Sequence, residues 1–181
     1  MKLTTRQKKY LYWLVSIVSI VTITISVYYS LGGFEEIKVV KSGNNIYNVA
    51  GKEYKGRIKN DSVNIVFNEI RSLVVDGKIN GEMCVVNYHD EGLNNNEIHQ
   101  FIGILLGDEI SEIPSGLTVR EIKAATTFKV GLGMHPLVMS NTKKIEATIQ
   151  DYATQNGFEL EDYTLEILFQ DNSVMVEMFA K

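Results

Sequence analysis

Near the C-terminus the chain reads Tyr163-Thr-Leu-Glu-Ile-Leu-Phe169, an apolar, β-prone run with one carboxylate at its centre. A strand of this kind buries at least one face, and a lone acid there is costly unless something pairs with it. Two-residue alternation puts Thr164, Glu166 and Leu168 on one face and Leu165, Ile167 and Phe169 on the other. The wholly apolar face is expected to pack under helices, which directs Glu166 to the opposite, concave side of the sheet. Alternation alone leaves two readings of Glu166 open: a solvated charge on an exposed face, or an acid lining a pocket.

The strands and helices that would surround this run form a repeat. An extended segment over Tyr47–Tyr54 follows the turn-forming cluster Lys41-Ser-Gly-Asn-Asn45. A helix is predicted over Ser62–Val75, where Val63, Val66, Phe67, Ile70 and Val74 recur at helical spacing. Met83–Tyr88 and Phe101–Leu106 read as strands. The pattern then recurs: an extended Leu117–Gly131, a helix over Asn141–Gln155 closed by Asn156-Gly157, and strands at Tyr163–Phe169 and Val174–Phe179 joined by Gln170–Ser173. Two βαββ units make an α+β domain, a mostly antiparallel sheet with a helix pair on one face. Pseudo-two-fold symmetry would leave a cleft where the halves meet, a favoured place for a ligand.

Ahead of this domain, Tyr10–Leu31 holds 22 residues with no charge, Pro or Gly. About 20 apolar residues at ~1.5 Å rise span a hydrocarbon core of about 30 Å. Tyr10, Tyr12 and Trp13 at one edge and Tyr28 and Tyr29 at the other fit aromatic belts. A cleaved signal would have a shorter apolar core and small residues before its cleavage site, whereas Tyr28, Tyr29 and Leu31 are bulky. An uncleaved single-pass anchor is therefore expected. Lys2, Arg6, Lys8 and Lys9 precede the span, and Glu35 and Glu36 follow it. The positive-inside rule then places the N-terminus in the cytoplasm and the domain outside it. The expected organisation is a basic N-terminus (1–9), a transmembrane helix (10–31), a linker begun by Gly32-Gly33 (32–45) and a ligand-binding domain (46–181).

Composition narrows the function classes. The chain of 181 residues carries a net charge of −4, but beyond residue 9 it has 14 basic against 22 acidic side chains. An acidic body is a poor electrostatic match for nucleic acid, so none is expected as a partner. Cys84 is the only cysteine, which excludes an internal disulfide and a cysteine-based zinc cluster. His89, His99 and His135 lack metal-ligand spacing and read as surface or structural residues. Gly131-Leu-Gly-Met134 is too sparse for a dinucleotide loop, and no phosphate loop or Gly-x-Ser-x-Gly is present. Ser115 reads as a turn residue. Asn60-Asp-Ser62 fits a glycosylation sequon, but an N-cap on the first domain helix needs nothing further. No cofactor, metal or catalytic residue is implied.

Tyr54-Lys-Gly56, Val85-Val-Asn-Tyr-His-Asp90, Ile113-Pro-Ser-Gly-Leu-Thr-Val-Arg-Glu-Ile-Lys-Ala124 and Leu165-Glu-Ile167 together resemble the GyrI-like small-molecule-binding domain. That domain is shared by gyrase-inhibitory proteins and the effector-binding domains of multidrug-responsive activators. The resemblance implies a pocket between the repeats with Glu166 at its floor, facing cationic aromatic ligands, and Tyr88 near its wall. Tyr54, Phe101 and Phe128 are further candidates by position. Some relatives are hydrolases, which would make Glu166 and Tyr88 an acid–base pair. A protein-interaction module with a vestigial pocket is a third possibility. The chain departs from the family in having Glu91-Gly92 where a proline is common, no tryptophan in the body, and no fused helix-turn-helix domain. The expectation is a membrane-anchored domain that binds a small amphipathic, cationic or aromatic ligand.

Overall fold

A computed structural model describes residues 4–31, 33, 36–94, 96–107, 113–133 and 141–181. Lys2, Gly32, Glu35, Met134 and His135 lie outside the described residues. The first element is helix α1 (Thr5–Ser30), capped by Thr4 in a capping box with Gln7. Within Arg6–Ser30 an 18-residue window has a mean hydropathy of 2.0, and the helix is long and apolar enough to cross a membrane. Its threonines do not break it, because the Thr22 and Thr24 hydroxyls donate to the carbonyls of Val18 and Ile20 at 2.9 Å each. A hydroxyl satisfied within the helix needs no water.

The elements of the domain are β1 (Val40–Arg57), α2 (Asp61–Val75), β2 (Gly81–Tyr88), β3 (Glu97–Leu106), β4 (Thr118–Leu132), α3 (Thr142–Gln155), β5 (Leu160–Leu168) and β6 (Val174–Ala180). This is β-α-β-β twice, as the periodicity predicts. All pairings are antiparallel, and the six strands close in the order β1-β3-β2-β5-β6-β4, with β4 returning to β1. Exchanging the halves (β1 for β4, β2 for β5, β3 for β6) maps that circuit onto itself. The pseudo-two-fold expected from the sequence is thus a property of the pairing.

Two helix starts follow from caps. Asn60 accepts from the Ser62 amide at 3.1 Å and Asn141 from the Lys143 amide at 3.0 Å. Asn60 is the N-cap of α2, the reading preferred over a sequon. The Lys41–Asn45 cluster, expected to be a turn outside the strands, lies inside β1. Its residues pair with β4 (Ser42 with Thr127, Gly43 with Thr126, Asn45 with Ala124). Asn44 at φ 47 breaks the alternation there, a left-handed conformation that asparagine tolerates. Local turn chemistry is real at this site, but cross-strand hydrogen bonds carry the chain through it.

Closure gives the strands a shared inner face, and the two helices cover part of the outer one, while much of the outer face of β1 and β4 stays exposed. Inside the barrel, Val49, Cys84, Val86, Phe101, Ile122, Leu165, Ile167 and Phe179 form one apolar cluster. Outside it, Met83, Val85, Ile102 and Ile104 pack with Ile70, Val66 and Phe67 of α2. Helix α3 buries Ile145, Ile149 and Ala153, and Tyr152 lies edge-on to Phe128 of β4 with ring centroids 6.0 Å apart. Strands β1 and β3 approach closely at Gly51 and Gly103. A Cβ on Gly103 would sit 2.8 Å from the Ala50 carbonyl oxygen, so that position admits only glycine.

The alternation of β5 is as expected, but its faces are the reverse of the expected assignment. Leu165, Ile167 and Phe169 line the barrel interior, while Leu168 joins the cluster under α2. Glu166 shares the helix-side face with Leu168 and pairs with Val85, a member of that same cluster. The reason is physical. With both faces covered, the more apolar side goes to the sealed interior, and the side bearing the acid goes under the helices.

Candidate functional site

The cleft where the repeats meet opens at one mouth of the barrel. A cavity of about 410 Å³ lies there. From the first repeat it is lined by Val86, Tyr88 and Phe101, and from the second by Arg120, Ile122 and Tyr163. Tyr88 and Tyr163 are register partners, which brings their rings to 6.2 Å. Behind them the rings continue inward. Tyr163 stacks on Phe179 at 5.2 Å, and Phe179 meets Tyr47 edge-on at 6.4 Å.

That aromatic series ends on an acid that the sequence reading passed over. Glu177 of β6 is fully buried, and the Tyr47 hydroxyl donates to its carboxylate at 2.9 Å. Lys129 Nζ stands 3.7 Å away. Burial pushes the Glu177 carboxyl above its usual range, while Tyr47 and Lys129 oppose that rise. Burial and the nearby carboxylate push the Tyr47 hydroxyl well above its ordinary value, so it stays a donor. The signal was present in Val174-Met-Val-Glu-Met-Phe179, a lone acid in an apolar strand like Glu166.

A polar network holds the mouth. The Arg120 guanidinium lies over the Phe101 ring, with Cζ 4.3 Å from its centroid. Its Nη1 donates to the Tyr88 hydroxyl at 2.7 Å and its Nη2 to Glu53 Oε2 at 2.6 Å. Glu53 Oε1 is 2.6 Å from His99 Nε2, and His99 Nδ1 is 2.8 Å from Asp90 Oδ2, which also accepts from Lys55 at 2.8 Å. The His99 ring lies against Tyr88 with centroids 4.5 Å apart. Hydrogen bonds from His99 and Arg120 hold the Glu53 carboxyl below its usual range, and those from Lys55 and His99 do the same for Asp90. Arg120 was legible in principle: alternation with Ile122 aims it inward. His99 was not, because its partners come from two other strands, Glu53 from β1 and Tyr88 with Asp90 from the end of β2.

Among the five residues singled out from the sequence, the fold brings Tyr88 and Phe101 together at this mouth. The other three lie elsewhere. Tyr54 is buried against α2 and donates to the Arg57 carbonyl at 3.0 Å. Phe128 packs on Tyr152 and Phe158 beside α3. Glu166 accepts from the Asn87 amide at 2.8 Å, and Asn87 in turn accepts from Gln100 at 2.6 Å. Desolvation raises the Glu166 carboxyl, the Glu146 charge on α3 adds to the rise, and Asn87 offsets part of it. Tyr88 lines the interior while Glu166 faces the helices, so the two do not form an acid–base pair across one site.

A second, larger cavity of about 610 Å³ runs along α3 and the start of β5. Its lining is largely polar or charged, including Glu146, Glu159, Glu161 and Asp162 with Lys143 and Lys181. The smaller cavity has the more aromatic and apolar lining of the two, the kind of wall that suits small organic ligands. No group of three or more His, Cys, Asp or Glu side chains suited to a metal occurs among the described residues.

No protein-family model and no curated protein matches the sequence. Solved structures do share the fold. The chain is similar to the EcmrR C-terminal domain at TM-score 0.58 and 12% identity, over 81% of this chain and 99% of that one. It is similar to an uncharacterized conserved protein from Listeria innocua at TM-score 0.56 and 9% identity, over 80% and 92% of the two chains. A hydrolase from Listeria innocua gives TM-score 0.51 and 7% identity, over 81% and 92%. At these identities the likeness is one of fold. The resemblance carried by the sequence motifs is thus matched by a shared fold alone.

Proposed function

We propose that this chain is a single-pass membrane protein whose domain binds a small, flat aromatic ligand in the barrel mouth. The observation that carries the reading is the convergence of Tyr88, Phe101 and Tyr163 from both repeats on one 410 Å³ cavity. Rings held rigidly by strand register lose little freedom on binding, which favours stacking with a planar guest. The shared fold with a GyrI-like effector-binding domain supports small-molecule binding in general. The apolar α1 and the cations Arg6, Lys8 and Lys9 ahead of its core support an anchor with a cytoplasmic N-terminus. The domain would then lie outside the cytoplasm. Its acidic surface supports an organic ligand rather than nucleic acid as partner.

Binding tests this directly. Full-length protein in nanodiscs of zwitterionic lipid is titrated calorimetrically with 2-naphthamide, a neutral bicyclic probe. Tyr88→Ala and Tyr163→Ala are each expected to weaken binding about tenfold, the worth of one aromatic contact of ~1.4 kcal/mol. Glu166→Gln is expected to leave it unchanged. The opposite pattern, with Glu166→Gln weakening binding and the two tyrosine variants unaffected, would move the site to the helix side of the sheet.

A further inference from the structure

The aromatic box at the mouth already contains a cation, the chain's own. Arg120 lies on the Phe101 ring at 4.3 Å and near the Tyr88 ring at 6.0 Å. The faces that would attract a cationic guest are therefore occupied by a guanidinium tethered to β4. A cationic ligand would have to displace it or sit beside a like charge. The other charged lining residues cancel, since Lys123 Nζ and Glu121 Oε1 pair at 2.8 Å. Glu166, the acid expected to select cations, lies on the far face of the sheet.

From this geometry we infer that the mouth pocket selects flat aromatic ligands bearing one anionic group, an aryl carboxylate being the simplest, with Arg120 as the specificity-determining residue. The inference rests on the pocket reading above and adds a charge preference to it. A guanidinium has five N–H donors, and the described contacts engage one with Tyr88 and one with Glu53. A ligand carboxylate entering beside Tyr88 would meet this fork in the bidentate geometry that arginine offers to carboxylates. The exchange strands no charge. Glu53 is 47% exposed, so its ion pair with Arg120 is a weak one to give up, and it retains His99 on its other oxygen. Asp90 likewise keeps Lys55. The ring of the guest would then stack where the tyrosines already present their faces.

Three probes of one ring system separate the outcomes: 2-naphthoate, 2-naphthamide and protonated 2-naphthylmethylamine, each titrated against the full-length protein in zwitterionic nanodiscs. The naphthoate is expected to bind about tenfold more tightly than the amide, and the ammonium more weakly than both. Arg120→Gln should abolish the naphthoate preference, so that naphthoate and amide bind with similar affinity. Arg120→Lys, which keeps the charge but loses the fork, should retain part of the preference. Glu53→Gln should strengthen naphthoate binding by removing the competing carboxylate. If the amide binds but the ammonium equals or exceeds the naphthoate, or Arg120→Gln keeps the preference, the charge assignment is overturned while the pocket stands. If none of the three binds, the pocket reading falls and this inference with it.

Discussion

Phe179→Ala is expected to lower the domain's free energy of unfolding by about 3–5 kcal/mol, the usual cost of emptying a fully packed phenylalanine site. Phe179 is wholly buried and sits between the rings of Tyr163 and Tyr47. It also pairs with Thr127, joining the last strand to the first strand of the second repeat. Closure leaves no free side into which the neighbours could relax, because Phe179 belongs to the sealed interior cluster. For a domain of this size the loss corresponds to a fall of about 10 °C in Tm. Thermal unfolding followed by near-ultraviolet circular dichroism checks it. Val75→Ala, at a 73% exposed helix end, is the control and should stay within about 0.5 kcal/mol. A loss at Phe179 as small as the control's would mean that the interior is not closed as described.

Tyr47→Phe should cost roughly 1.5–3 kcal/mol near neutral pH, the range for a hydrogen bond to a charged group. The phenol is the strong partner of a fully buried carboxylate, and its loss leaves Glu177 with Lys129 at 3.7 Å. The defect should depend on pH in a defined direction. Glu177 has a raised carboxyl in the folded state, so the folded domain holds that proton better than the unfolded chain does. Stability from this group therefore falls as pH rises from the ordinary carboxylate range through the raised value, and is level above it. Removing Tyr47 takes away an influence that lowers the Glu177 value. The decline should then extend to higher pH in the variant, and the two proteins should converge as the solution is acidified and the carboxyl is protonated in both. Glu177→Gln should lose this part of the pH dependence. Glu53 and Asp90 titrate in the opposite sense, since both are held low in the fold. Their contribution is lost on acidification but is common to all three proteins, so comparing variants isolates Glu177. Denaturant titrations over a pH series give the result, and a pH-independent Tyr47→Phe defect would contradict it.

The outcome at β5 shows what alternation can and cannot decide. Residue order alone gave the correct division of Tyr163–Phe169 into two faces, because side chains in a strand alternate whatever surrounds them. Which face is inside depends on what covers each. The usual rule sends the apolar face to the core and the polar face to water, and it assumes one wet face. Here Met83–Val86, Phe101–Ile104 and Val176–Phe179 are buried residue after residue, the mark of strands covered on both sides. Those runs are visible in the sequence, and they would have warned that neither face of β5 meets solvent. The same blindness hid Glu177, which sits on the interior face opposite Leu165. Arg120 could have been placed by its alternation with Ile122. His99 could not, since its contacts with Glu53, Asp90 and Tyr88 depend on β3 pairing with β1 on one side and β2 on the other. The repeat itself was readable because helical and strand periodicities are local, while the mouth is assembled by long-range pairing.

The most direct measurement of where the ligand sits is photo-crosslinking of the full-length protein in nanodiscs with an aryl-azide derivative of naphthamide, followed by peptide mapping. Labels are expected on the mouth strands, at Tyr88, at Tyr163 and around Arg120–Ile122, competed away by excess naphthamide. Competable labels confined to the helix-side groove, at Glu146, Gln150 or Glu161, would contradict it.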